Sequence, residues 1–203
     1  MITIVDYGAG NLKNVEKAFV LLGQNVEITD NYERILKAKT LVLPGVGAFK
    51  DAMNKLKSKN LIKPLKDYLR SDRPFLGICL GLQMLFEYSE EGGTNISGLG
   101  VLKGSVRKFK VKAGLKIPHM GWNTLEKVRD DSLFSGILDN SYFYYVHSYF
   151  LEAMEQDIVI GRSEYGESFD AVIKSGNIYA TQFHPEKSGE VGIKLLENFL
   201  KQN

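Results

Sequence analysis

Continuous apolar runs dominate the first half of the chain and alternating ones the second. Ile2–Tyr7, Val26–Thr29, Thr40–Leu43 and the run from Pro74 to Cys79 read as short strands, because each is a short and mostly apolar run. Between them apolar positions recur at helical spacing. Leu12, Val15, Phe19 and Leu22 form one face of a helix that Gly23 closes, and a short helix follows over Tyr32–Ala38. Two more are predicted from Phe49 to about Lys57 and from Leu61 to Arg70, each with lysines on a solvated face. A βαβ opening of this kind predicts a mostly parallel sheet flanked by helices.

Past Glu91 the texture changes. Leu99–Phe109, Ile117–Leu125, Tyr142–Leu151, Ile158–Tyr165 and Phe169–Lys174 are short, often alternating segments, and Ser175-Gly176-Asn177 reads as a hairpin turn before Ile178. Strands without helices between them predict an antiparallel extension of the sheet in the second half. A closing helix is expected over Val191–Leu200, with Leu195 and Phe199 on its inner face. No low-complexity linker or internal repeat interrupts this α/β pattern, so a single domain over residues 1–203 is expected.

Composition narrows the function classes. A formal net charge of +2 lacks the basic excess of a nucleic-acid binder. No apolar run approaches the roughly 20 residues of a membrane span, and a first strand at Ile2 leaves no room for a signal peptide. The single cysteine excludes an intrachain disulfide, and the cytoplasm is the expected compartment.

That cysteine lies in Gly77-Ile78-Cys79-Leu80-Gly81, at the junction of a strand with a helix expected from Leu80 to Tyr88. Gly-x-Cys-x-Gly is the cysteine form of a nucleophile elbow, a tight turn that projects the side chain into a cleft. The helix N-terminus would favour a thiolate, and the amides of the first turn would hold an oxyanion. A buried structural cysteine is the plainer alternative, which the flanking glycines disfavour.

Pro44-Gly45-Val46-Gly47 ends a neighbouring parallel strand and is suited to supply a second oxyanion amide. Of the three histidines only His184 has a carboxylate at same-face spacing. In an extended segment held by Pro185, His184 and Glu186 emerge on one side, as the base and its orienting group. His119 and His147 are assigned to structure or interface. Close paired ligand spacing is missing, so no metal site is expected. Gly8-x-Gly10 with Asp30 imitates a dinucleotide fingerprint, but Lys13 stands where the third glycine belongs.

Taken together, Pro44–Gly47, Gly77–Gln83 and His184-Pro185-Glu186 resemble the class I glutamine amidotransferases, in the family's order and over nearly the whole chain. The resemblance implies a flavodoxin-like three-layer fold and hydrolysis of L-glutamine through a thioester on Cys79, without a cofactor. It implies that His184 is base and then acid, that Glu186 orients it, and that the amides of Gly47 and Leu80 form the oxyanion hole. Gly45, Gln83, Ser148 and Tyr149 would hold the glutamine.

Three further stretches, Asp6–Leu12, Pro118–Asn123 and Tyr145–Tyr149, resemble the branch of this family that delivers ammonia to a (β/α)8-barrel cyclase in histidine biosynthesis. By that resemblance the cyclase subunit is the partner in a heterodimer, and Asn11, Asn14, Met120, Trp122, Tyr145 and Lys187 face it. An amidotransferase subunit of another pathway, a related cysteine hydrolase and a catalytically dead regulatory subunit are the alternatives.

Overall fold

The computed structural model describes residues 1–93, 95–110 and 114–202. Strands β1 (Ile2–Val5), β2 (Val26–Thr29), β3 (Thr40–Gly45) and β4 (Phe75–Cys79) alternate with helices α1 (Leu12–Leu21), α2 (Tyr32–Lys37), α3 (Phe49–Ser58) and α4 (Ile62–Leu69). A short α5 (Leu80–Gln83) leaves β4 directly. Then come β5 (Tyr88–Ser89), β6 (Ile96–Ser97), β7 (Gly104–Lys108), β8 (His119–Lys127), β9 (Ser141–His147), β10 (Tyr149–Ala153), β11 (Val159–Glu164), β12 (Ser168–Ser175) and β13 (Ile178–Thr181), and α6 (Gly189–Lys201) closes the chain.

The sheet runs in the order β2-β1-β3-β4-β13-β12-β10-β7-β5-β6. From β2 to β13 all neighbours are parallel; β13 to β12, β12 to β10 and β10 to β7 are antiparallel. A branch leads from β12 through β11 and β8 to β9. The mixed sheet is thus the one the two halves of the sequence predict. Strand β4 lies between β3 and β13, with Gly45 paired to Cys79 and Thr181 to Ile78. The carboxyl ends of these three parallel strands share one edge, where such sheets form their clefts.

Every residue of β1, β3, β4 and β13 is buried, because helices cover both faces. Alternation sends Leu41 and Leu43 toward Ile35, Phe49, Leu56 and Leu65 of α2, α3 and α4. Val42 points the other way, into Val15 and Phe19 of α1 and Leu195 and Phe199 of α6. Each such Leu, Val or Phe contributes about 1.5–3 kcal/mol by burial. Packing rather than capping therefore holds α1, α3, α4 and α6, none of which has an N-cap side-chain hydrogen bond.

The helix expected over Leu80–Tyr88 stops at Gln83. Returning backbone competes for its carbonyls: Leu99 N–H donates to Met84 O (2.8 Å), Val101 N–H to Leu85 O (2.9 Å) and Gly100 N–H to Phe86 O (3.0 Å). For the same reason the Leu99–Phe109 segment is a strand only from Gly104 to Lys108. The Tyr142–Leu151 run divides at Ser148, where the chain leaves its pairing with β8 and joins β7 and β12.

Candidate active site

Cys79 is the last residue of β4 and the first boundary residue of α5, with φ 55° and ψ −107°. A side chain held there costs on the order of 1–3 kcal/mol. The surrounding backbone enforces it, since Gly81 in the next turn packs directly onto the Leu43 carbonyl of β3. With only four residues, α5 supplies little of the macrodipole expected from a longer helix; the amide of Leu80 remains as the local donor.

The Cys79 side chain is buried and borders a cavity of about 120 Å³. Val46, Gly47 and Leu80 form one side of it, Gln83 and Glu91 another, and the segment from Val146 to Tyr149 the third. Gly47 has φ +92°, a value that favours glycine, and it lines the cavity. Ser148 and Tyr149 line the cavity as expected, whereas Gly45, one of the expected glutamine contacts, is not among its lining residues and instead backs Cys79 in the β3–β4 ladder. A larger groove of about 550 Å³ beside Tyr32 and Lys63 contains none of the expected site residues.

His184 and Glu186 reach their places by a different route from the extended segment expected. Strand β13 ends at Thr181, and Pro185–Lys187 forms a single 3-10 turn. The His184 N–H donates to Tyr144 O (2.9 Å), and Ser188 Oγ donates to His184 O (2.7 Å) while accepting from Tyr144 N–H (3.0 Å). This clamp leaves His184 Nδ1 2.8 Å from Glu186 Oε1, with both side chains within 2 % of full burial. A carboxylate that accepts there places the proton on Nδ1. Nε2 is buried without a hydrogen-bond partner among the described residues. Burial disfavours the charged ring, but Cys79 and Glu186 together outweigh it and push the imidazole up to about 10.

Gln83 is buried, and its amide hydrogens go to Tyr149 O (2.9 Å) and Gln182 Oε1 (3.0 Å). It therefore braces the cavity wall as well as bordering the cavity. Glu91 went unnoticed in the sequence because it ends a polar run resembling solvated surface. In the fold it accepts from Phe49 N–H, the first residue of α3, at 2.8 Å, and burial raises its carboxyl pKa.

His119 and His147 face each other across β8 and β9, Nδ1 to Nε2 at 2.8 Å, and both are buried. No group of three or more His, Cys, Asp or Glu is arranged to hold a metal among the described residues.

On the outer face of the same hairpin Met120 is 65 % and Trp122 56 % exposed. The Trp122 ring meets Tyr144 edge-on at 6.0 Å, and Lys187 Nζ lies 5.9 Å from the Tyr144 ring centre. Asn11 and Asn14 are half-buried at the start of α1. Tyr145 corrects the expected partner-facing set. It is fully buried, its hydroxyl 2.6 Å from Ser163 Oγ, because adjacent strand residues point to opposite faces and Tyr144 takes the outward position.

The sequence model of the family described as Glutamine amidotransferase class-I matches residues 3–203, and the chain belongs to that family. In fold it is similar to the solved structure of PurLQS from Thermotoga maritima, with a TM-score of 0.74 at 18% identity, covering 99% of this chain and 97% of that one. Its sequence is 51% identical over 201 residues to the imidazole glycerol phosphate synthase subunit HisH of Desulfitobacterium hafniense (strain DSM 10664 / DCB-2), covering 99% of this chain and 94% of that protein. It is likewise 51% identical over 205 residues to the protein of the same name from Methanocaldococcus jannaschii, covering 99% of each.

Proposed function

We propose that this chain is the glutaminase subunit of an imidazole glycerol phosphate synthase, a single cytoplasmic domain paired as a heterodimer with a (β/α)8-barrel cyclase subunit. It hydrolyses L-glutamine to L-glutamate and ammonia and passes the ammonia to that subunit for histidine biosynthesis. Near-complete coverage at 51% identity to relatives bearing that name supports the pathway. The chemistry rests on one observation above the rest: the buried His184–Glu186 pair beside a strained cysteine at the edge of a small cavity. A cavity of about 120 Å³ suits a free amino acid better than a peptide segment.

The reaction follows from these groups. His184 Nε2 holds the proton given up by the Cys79 thiol, as its raised value favours, and the sulfur attacks the side-chain amide carbon of glutamine. The oxygen becomes an oxyanion held by the amides of Leu80 and Gly47. His184 returns the proton to the nitrogen as the C–N bond breaks, releasing ammonia and leaving a γ-glutamyl thioester on Cys79. Water, deprotonated by His184, then attacks the thioester, and the C–S bond breaks to give glutamate and the thiol. Glu91, a carboxylate at the cavity wall, is suited to receive the α-ammonium group.

The deciding measurement is glutamate release from glutamine by this chain, alone and mixed with a cyclase partner carrying its nucleotide substrate. Strong stimulation by the loaded partner is expected, and Cys79→Ala should abolish glutamine-dependent synthesis while sparing ammonia-dependent synthesis. No glutamate under either condition would sink the proposal.

A further inference from the structure

We infer that Gln182 is a catalytic residue of this site, an amide donor to the Cys79 sulfur whose hydrogen bond strengthens as the thiol ionises. This deepens the glutaminase reading and rests on it. Gln182 is fully buried, one residue beyond β13 and two before His184, and its backbone N–H is fixed to Ala171 O at 2.8 Å. Its Nε2 lies 3.7 Å from Cys79 Sγ, within reach of an N–H···S hydrogen bond.

The two ends of a side-chain amide have the same shape, so which end meets the sulfur is decided by its partners. Tyr149 O is a backbone carbonyl and only accepts, so Gln83 must present its NH2 group there, at 2.9 Å. The second hydrogen of that NH2 group points at Gln182 across 3.0 Å. Gln182 must therefore offer its oxygen to Gln83, which leaves its own NH2 group facing Cys79. Reversing Gln182 would set one NH2 group against another and an oxygen against the sulfur.

A second line of bonds ends on the same carbonyl. His147 Nδ1–H donates to Tyr149 O (2.9 Å), His147 Nε2 accepts from His119 Nδ1–H (2.8 Å), and His119 Nε2 accepts from Asn123 Nδ2 (3.2 Å). Asn123 gives its other hydrogen to Glu164 O at 2.8 Å. Every donor in the line points the same way, which requires both imidazoles to be neutral. Burial, their first cause of perturbation, lowers His147 to about 3 and His119 to about 4.

An anion accepts a hydrogen bond more strongly than a neutral sulfur does, so the Gln182 contact favours the reactive form. Val146 O also lies 3.9 Å from the sulfur and serves only the thiol, because a carbonyl cannot donate. The titratable groups around Cys79 are His184 and Glu186 beyond β13, His147 on β9, Tyr7 beyond β1 and Glu91 beyond β5. Gln182 is the side-chain amide within hydrogen-bond reach of the sulfur.

Two variants and one probe test this. Gln182→Glu keeps the side-chain length and the acceptor for Gln83 but replaces the N–H donor by a carboxylate oxygen; Gln182→Met keeps the length and removes both. Cys79 is the only cysteine, so the pH profile of its alkylation by iodoacetamide can be read on the full chain by mass. Both variants should displace that profile to higher pH, Gln182→Glu further. In the complex with the cyclase subunit both should lower kcat for glutamine roughly tenfold or more with KM little changed. A profile that coincides with wild type in a folded Gln182→Met chain overturns the inference, whatever happens to kcat. The two readings fail separately: a shifted profile in a chain that hydrolyses no glutamine keeps Gln182 as the donor and removes the glutaminase, while hydrolysis with an unshifted profile does the reverse.

Discussion

A methyl group on the Gly81 α-carbon would fall 1.8 Å from the carbonyl oxygen of Leu43. That oxygen belongs to the backbone of β3, so it cannot swing aside as a flexible side chain would. The contact presses the first turn of α5 onto the strand that leads to Gly47, and the two oxyanion donors proposed above, Leu80 and Gly47, depend on it. Gly81→Ala is expected to cost about 3 kcal/mol or more, the upper end of overpacking, and to abolish glutamate release. Urea unfolding measures the loss, and a change below about 1 kcal/mol would mean that α5 can slide off β3 at little cost.

The backbone strain at Cys79 can be measured by removing its thiol in two ways. Cys79→Ala and Cys79→Gly both eliminate the proposed nucleophile, but only glycine relaxes a residue held at φ 55°. The glycine variant should be the more stable of the two by about 1–2 kcal/mol, against the usual preference for alanine outside such conformations. Equal midpoints in denaturant would show that the elbow is not strained.

Much of this arrangement is legible in the residues themselves. The largely apolar runs at Ile2, Thr40 and Pro74 predict strands buried on both faces, and Gly77-Ile78-Cys79-Leu80-Gly81 marks the elbow because close packing on either side of the turn leaves no room for side chains. What cannot be read depends on partners distant in sequence. The helix after Cys79 ends at Gln83 because residues 98–102 take its carbonyls. Tyr142-Phe143-Tyr144-Tyr145-Val146 is apolar at every position, so its composition does not say which tyrosine faces out; pairing with β8 decides it. Glu91 and Gln182 gain their roles from Phe49 N–H and Cys79 Sγ, and nothing in their immediate neighbours announces either contact.

The buried histidine pair makes stability pH-dependent with a definite sign. Both rings have folded values below the ordinary 6.5, about 4 for His119 and about 3 for His147. The unfolded chain therefore binds these protons first as pH falls. The stability they contribute is complete above about 6.5 and is lost as pH drops from there through the folded values. For His147, the more deeply buried, the slope reaches about 1.4 kcal/mol per pH unit in that window, and His119 adds in the same direction. His184 runs oppositely: its folded value is raised to about 10, so its share is present below about 6.5 and lost as pH rises through 10. Denaturant titrations of wild type and of a His119→Gln, His147→Gln double variant isolate the pair. The variant should be weaker at pH 7 and flatter between pH 6.5 and 4; parallel curves would mean that the rings are not held neutral.

Two adjacent tyrosines of the β8–β9 hairpin point opposite ways. Tyr144 lies between exposed Trp122 and Lys187 on the outer face of the β8–β9 hairpin, whereas Tyr145 is sealed inside with its hydroxyl on Ser163. If the outer face meets the cyclase subunit, Trp122→Ala should lower affinity by about tenfold or more, as central aromatic anchors do, while shifting stability by only about 0.5 kcal/mol, since the ring is 56 % exposed. Tyr145→Phe should do the opposite, costing about 1 kcal/mol of stability through the stranded Ser163 hydroxyl and leaving affinity unchanged. Titration calorimetry with the partner, set beside thermal unfolding of each variant, checks both. Loss of affinity in Tyr145→Phe with none in Trp122→Ala would move the interface off this hairpin face.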